Sequence, residues 1–172
     1  MGACLRVNKG GVTRIRAATI RFYIDQDVRG LGILLGSIRP DVTYPGDLGG
    51  VVQKRERPPC RLHEGALDEE WLPVVGDTGW LVISRDKAIQ ESLSELTAVR
   101  EHNVKMVCLT GESSTNKWSQ LEATMTYWHR IEELADEPGP FVYKMSRPSG
   151  LRPVDVDGAL DRLRNGRRRN RP

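Results

Sequence analysis

Aromatic residues are scarce, at 6% of the 172-residue chain, so a core must be built mostly from aliphatic side chains. Cysteine is scarcer still. Cys4, Cys60 and Cys108 are odd in number and far apart, and no CxxC pair occurs. That excludes a zinc knuckle and a disulfide framework, and predicts reduced thiols in a cytoplasmic protein. Only three histidines are present, His63, His102 and His129, and they share no metal-ligand spacing. No apolar run approaches the length of a membrane span. The N-terminus lacks the apolar centre of a secretory signal. Its Met-Gly start has Arg6 where myristoylation requires Ser or Thr.

Acid is missing from both ends. Residues 1–16 carry Arg6, Lys9, Arg14 and Arg16 with no carboxylate, and residues 162–172 carry six arginines with none. These ten account for much of the 26 basic residues. The other 16 face all 23 acids, so residues 17–161 have a net charge of −7. The expectation is an acidic body at 19–147 between flexible basic arms at 1–18 and 148–172.

Five segments read as strands: 20–24, 80–84, 104–110, 141–145 and a short one at 51–52. Between them, residues 28–38 form an apolar helix weakened by glycine. Asp68 reads as the N-cap of a short helix with Glu69 and Glu70 in its first turn. Ile89, Leu93, Leu96 and Val99 make one helical face, with Asn103 as a stop. Trp118, Leu121, Met125, Trp128 and Ile131 make another within a helix at 117–135, which Ser113, Ser114, Thr115 or Asn116 caps. Residues 36–66, rich in glycine and proline, read as a long loop. Within it, "QKRERPPCR" at 53–61 has a local charge of +3, suited to RNA contact or to plain solvation. Strands alternating with helices imply parallel βαβ units and a helix-covered sheet.

The strand "FYI" runs straight into Asp25 and then Asp27. A carboxylate at the end of a buried strand must be solvated, paired or bound to a cation. Asp86 follows "WLVIS" by two residues, Asp68 and Glu69 open the preceding helix, and Glu112 follows the third clear strand. Ligands of open parallel sheets bind beyond the carboxyl ends of the strands. Carboxylates meeting there without His or Cys would make an all-oxygen site suited to Mg²⁺ or Mn²⁺. The bland alternatives are solvated loop acids and helix caps. They weigh most for Glu112 and Asp27, and least for Asp25 and Asp86 together.

"FYIDQD" followed by "DEEWLPVVGDTGWLVISRDKAI" resembles the PIN-domain superfamily, in particular the branch grouped with VapC-type toxins. The resemblance covers about residues 19–147. It implies an α/β, three-layer fold with a central, mainly parallel sheet flanked by helices, and a metal-dependent ribonuclease. Asp25, Asp68 and Asp86 would be the catalytic, metal-binding acids, with Glu69 a substitute for Asp68 and Glu112 the nearest match to a fourth acid. The family further implies an RNA substrate, an inhibitory antitoxin protein and a homodimer. Two rival readings stand beside it. Asp25-Gln26-Asp27 with Ser84 also resembles the start of a haloacid-dehalogenase-type phosphatase, with Asp25 as nucleophile and Asp27 as general acid. The other rival is a degenerate PIN-like module that binds without catalysis.

Overall fold

The computed structural model describes residues 14–85 and 93–169. The strands are β1 (Arg16–Ala17), β2 (Phe22–Ile24), β3 (Val42–Thr43), β4 (Gly50–Val52), β5 (Arg55–Arg57), β6 (Leu81–Ser84), β7 (Lys105–Leu109), β8 (Phe141–Ser146) and β9 (Gly150–Pro153). The helices are α1 (Arg29–Ile38), α2 (Asp68–Thr78), α3 (Leu93–Glu101), α4 (Lys117–Thr126), α5 (Trp128–Asp136) and α6 (Val156–Arg169). The main sheet has the order β3-β2-β6-β7-β8-β9. Its first five strands are parallel, and β9 returns antiparallel on β8.

Strand alternation sorts the core into two layers. Phe22, Ile24, Leu81, Ile83, Val107 and Leu109 face one side, against Leu31 and Leu35 of α1 and Trp128 and Ile131 of α5. Tyr23, Val82, Met106 and Cys108 face the other, against Trp71 and Val75 of α2, Leu96 and Val99 of α3, and Leu160 of α6. A fully buried parallel sheet needs helices on both faces. The result is the three-layer α/β fold expected of a PIN-like domain.

Several local expectations need correction. Residues 36–66 are not one loop. They contain β3 and the β4–β5 hairpin, and β5 pairs in parallel with β1 to make a second, three-stranded sheet. The single helix at 117–135 breaks at Tyr127 into α4 and α5. The break shifts the helical phase, so Trp118 (73% exposed) and Met125 (52%) leave the face that Trp128 and Ile131 bury. The N-cap of α2 is Leu67 rather than Asp68, and the Glu70 carboxylate accepts the Leu67 N–H at 2.8 Å. The domain boundary at 147 falls inside the β8–β9 hairpin. The chain beyond it forms α6, whose Ala159 and Leu160 are buried in the core, so residues 150–160 are not an arm. On the other side, Asn116 does cap α4 by accepting from the Ser119 N–H, and Asn103, with φ 57°, does follow the end of α3.

Helices α2 and α3 approach each other at Gly76. A Cβ there would lie 2.0 Å from the backbone carbonyl oxygen of His102, which cannot swing aside as a side chain would. Gly76→Ala should therefore cost about 1–3 kcal/mol by forcing the two helices apart. A lowered urea midpoint at unchanged slope would show it. An unchanged midpoint would mean that the helices separate freely.

Candidate functional site

The first clear strand, β2, pairs with β6 through Phe22–Leu81, Tyr23–Val82 and Ile24–Ile83. The ladder continues one step, because the Asp25 N–H donates to the Ile83 carbonyl at 3.0 Å. Asp25 is thus fixed at the carboxyl end of the central strands. Its Oδ1 accepts the Gln26 N–H at 2.6 Å and its Oδ2 accepts the Ser84 hydroxyl at 2.9 Å. The backbone then turns into a short 3₁₀ segment, Gln26–Val28, that leads into α1.

Asp68 comes from the other side of the cleft, in the first turn of α2. The indole N–H of Trp71 donates to its Oδ1 at 2.9 Å, which fixes the carboxylate. Trp71 is itself held by stacking on Tyr23, with ring centroids 5.9 Å apart, and Tyr23 stacks in turn on Trp80 at 6.3 Å. Of these three rings only Trp71 reaches the cavity; Tyr23 is buried behind it and Trp80 is half-buried.

Asp25, Asp27, Asp68 and Glu95 line one cavity of about 310 Å³, together with Gln26, Ser84 and an apolar wall that includes Trp71, Val99 and Met106. Among the described residues, no Lys, Arg or His lines it. The electrostatic consequence appears at Asp25, whose pKa is pushed up from 3.8 to about 6. Burial is the main cause, and the neighbouring charges of Asp27 and Asp68 add to it. The hydrogen bonds from Ser84 and Gln26 oppose the rise without cancelling it. Burial and the Asp25 charge also push the Tyr23 phenol upward, so it stays protonated.

The structure places Asp25 and Asp68 on one cavity, together with Asp27 and Glu95. Asp86 lies outside the described residues. Glu69 does not line the cavity, because the next residue on a helix is turned away from Asp68's face. Glu112 is exposed in the turn Gly111–Ser114 after β7 and is also absent from the lining. Glu95 was the residue missed. It precedes Val99 by four positions, so it shares the stripe that faces the sheet, and an acid inside an apolar stripe was the available signal.

Among the described residues, no three His, Cys, Asp or Glu side chains stand close enough to hold one metal ion. The donor chemistry nevertheless fits a hard divalent cation: every ionisable group among the described lining residues is a carboxylate, and Asp25 is destabilised as an anion chiefly by burial and further by its acidic neighbours.

Residues 49–111 match the family described as PIN like domain. The matched segment runs from the β4–β5 hairpin to the turn after β7, and includes Asp68, Ser84, Asp86 and Glu95. No curated protein and no solved structure matches the chain. With the three-layer fold, the match supports a PIN-like domain, a class whose members are generally hydrolytic nucleases. No helix among the described residues is long and apolar enough to cross a membrane.

Proposed function

We propose that this protein is a divalent-cation-dependent endoribonuclease and the toxin of a bacterial toxin–antitoxin pair. The observation that carries the nuclease reading is the cavity at the carboxyl edge of β2 and β6, whose charged lining among the described residues is all carboxylate. In this reading Asp25, Asp68 and Asp86 hold Mg²⁺ or Mn²⁺. Such a cation activates water and stabilises the charge developing on a phosphate. Ser84 and the Gln26 N–H hold the Asp25 carboxylate in one orientation, and Trp71 does the same for Asp68. The toxin assignment, an antitoxin that blocks the cleft and a homodimer are what the VapC-type resemblance adds.

Purified protein should cleave single-stranded RNA with Mn²⁺ and stop when a chelator is added. Expression alone should arrest growth, and Asp25→Ala at equal protein level should relieve the arrest. Absence of Mn²⁺-dependent cleavage would remove the nuclease reading; equal toxicity of the variant would remove the catalytic basis of toxicity.

One arrangement favours the phosphatase reading as an alternative. Asp27 lines the same cavity, and Ser84 touches Asp25, as a nucleophile, acid and hydroxyl would require. Hydrolysis of a generic phosphate ester, lost on Asp27→Ala, would select it over RNA cleavage.

A further inference from the structure

At the opposite edge of the sheet the charge reverses. The three-stranded β1-β5-β4 sheet lies beside the amino ends of β2 and β3, where Arg21 and Arg39 stand just before those strands. Arg14, Arg16, Gln53, Lys54 and Arg55 line a cavity of about 420 Å³. Gln53 and Arg55 also line a neighbouring cavity of about 280 Å³ with Arg21 and Arg39. The two cavities therefore form one basic cleft.

Register explains how the charges gather. Arg16 is paired with Arg55 across β1 and β5, so the two share a face of the small sheet, and Arg14, just before β1, lines the same cavity. The nearby acids do not neutralise them. Glu56 is in register with Ala17 and Val51 and so belongs to the other face. Asp41 is engaged by Arg39 through two hydrogen bonds of 2.9 and 2.8 Å, and Arg39 also reaches Glu132. Arg21 pairs with Asp136. Arg14, Arg16, Lys54 and Arg55 have no ion-pair partner among the described residues.

The hairpin tip supplies an independent observation. Gln53 (φ 47°) and Lys54 (φ 63°) both occupy the left-handed region in a two-residue turn. That position favours Asn or Gly, and a long side chain there costs free energy. The turn keeps both long polar side chains, and the Gln53 amide anchors the tip by donating to the Ile38 carbonyl at 2.9 Å. Strained residues are thus retained where the two cavities join.

We propose that this cleft binds the phosphate backbone of single-stranded RNA, on the sheet edge opposite the acid cavity. The cations are spread over two adjoining cavities, an arrangement that suits successive phosphates. Arginine and lysine meet phosphate oxygens directly and release the counterions that otherwise screen them. The choice of RNA rests on the ribonuclease reading; the cleft does not.

The test is fluorescence anisotropy with labelled oligouridine at several salt concentrations. Asp25→Asn protein should bind without cleaving. Adding Arg16→Ala, Lys54→Ala and Arg55→Ala should weaken binding and flatten the log–log salt dependence by about 2, given about 0.7 per phosphate on a single strand. Arg55→Gln alone should flatten it by about 0.7, and keeps the measurement decisive if the triple variant does not fold. A control removing equal charge at Lys144, Arg130 and Arg152 should leave the slope unchanged. An unchanged slope in both cleft variants overturns the proposal, as does an equal loss in the control. Displacement of RNA by polyglutamate at equal charge would also overturn it, in favour of an acidic protein partner. Loss of binding in the cleft variants of a wild-type protein that never cleaves RNA would uphold the cleft and reject the nuclease.

Discussion

Asp25→Asn should do two opposite things: cripple RNA cleavage and stabilise the metal-free protein above pH 6. The pKa of Asp25 rises from 3.8 to about 6 on folding. Below pH 3.8 the carboxyl is protonated in both folded and unfolded chains, and its burial costs nothing electrostatically. Between 3.8 and about 6 the unfolded chain ionises first, so stability falls as pH rises. Above 6 the loss is complete, and a shift of this size corresponds to about 3 kcal/mol. Asparagine carries no charge, so the variant should escape that loss. It also keeps the local hydrogen bonds, because its amide oxygen can accept from Gln26 N–H while its NH₂ donates to the Ser84 oxygen. Thermal melts in chelator at pH 5 and pH 8 measure the effect. The two proteins should converge toward low pH, with the variant ahead at pH 8. A variant less stable than the wild type at pH 8 would mean that Asp25 is held as a favourable anion by groups other than a cation.

The same pair of proteins separates metal binding from folding. Saturating Mn²⁺ stabilises whatever binds it in the folded state, by about 2.7 kcal/mol at a hundredfold excess over Kd. Wild type should gain that increment and Asp25→Asn should gain far less. Cleavage should fall on the order of 10³-fold, since charge stabilisation by a bound cation is worth several kcal/mol in a transition state. Loss of activity with an intact Mn²⁺ response would move Asp25 from cation binding to substrate positioning.

The central sheet was legible because its strands are short apolar runs bounded by charge, and the helices between them imply parallel pairing. Asp25 was legible for the same reason, as an acid at a buried strand end. What stayed hidden depends on tertiary placement. The β4–β5 hairpin carries no Asn-Gly signal, because Gln53 and Lys54 occupy its left-handed turn. The chain after 147 reads as arginine-rich and polar, yet Ala159 and Leu160 are buried on the face shared with α3. A helical stripe continued across Tyr127 misplaced Trp118, since periodicity cannot detect a one-residue break in phase. Glu95 reaches the cavity only because α3 packs its stripe against β6 and β7.

Asp47→Ala should be the most destabilising single change in the loop between β3 and β5, at about 3–5 kcal/mol. Arg57 is 5% exposed and Asp47 is 3% exposed. Arg57 Nη1 meets Asp47 Oδ2 at 2.9 Å, and Nη2 donates to Oδ1 at 3.2 Å. The Val42 carbonyl accepts from Nη1 at 2.7 Å, and Nε has no hydrogen-bond partner. Without Asp47 a guanidinium that cannot deprotonate stays buried with one backbone acceptor. Arg57→Met should cost less, because Asp47 would keep the Gly49 N–H at 2.9 Å and the Thr43 hydroxyl at 3.2 Å. The double variant Asp47→Leu, Arg57→Met should recover much of the loss, as apolar replacements of buried pairs often do. Urea midpoints of the four proteins form the cycle, and additive single losses would show that the pair is not coupled. Arg57 lies two residues beyond Arg55 on the same strand, so the pair also sets where the basic hairpin stands. Asp47→Ala should accordingly weaken oligouridine binding while the Mn²⁺ response at Asp25 survives, because that cavity draws none of its walls from residues 47–57.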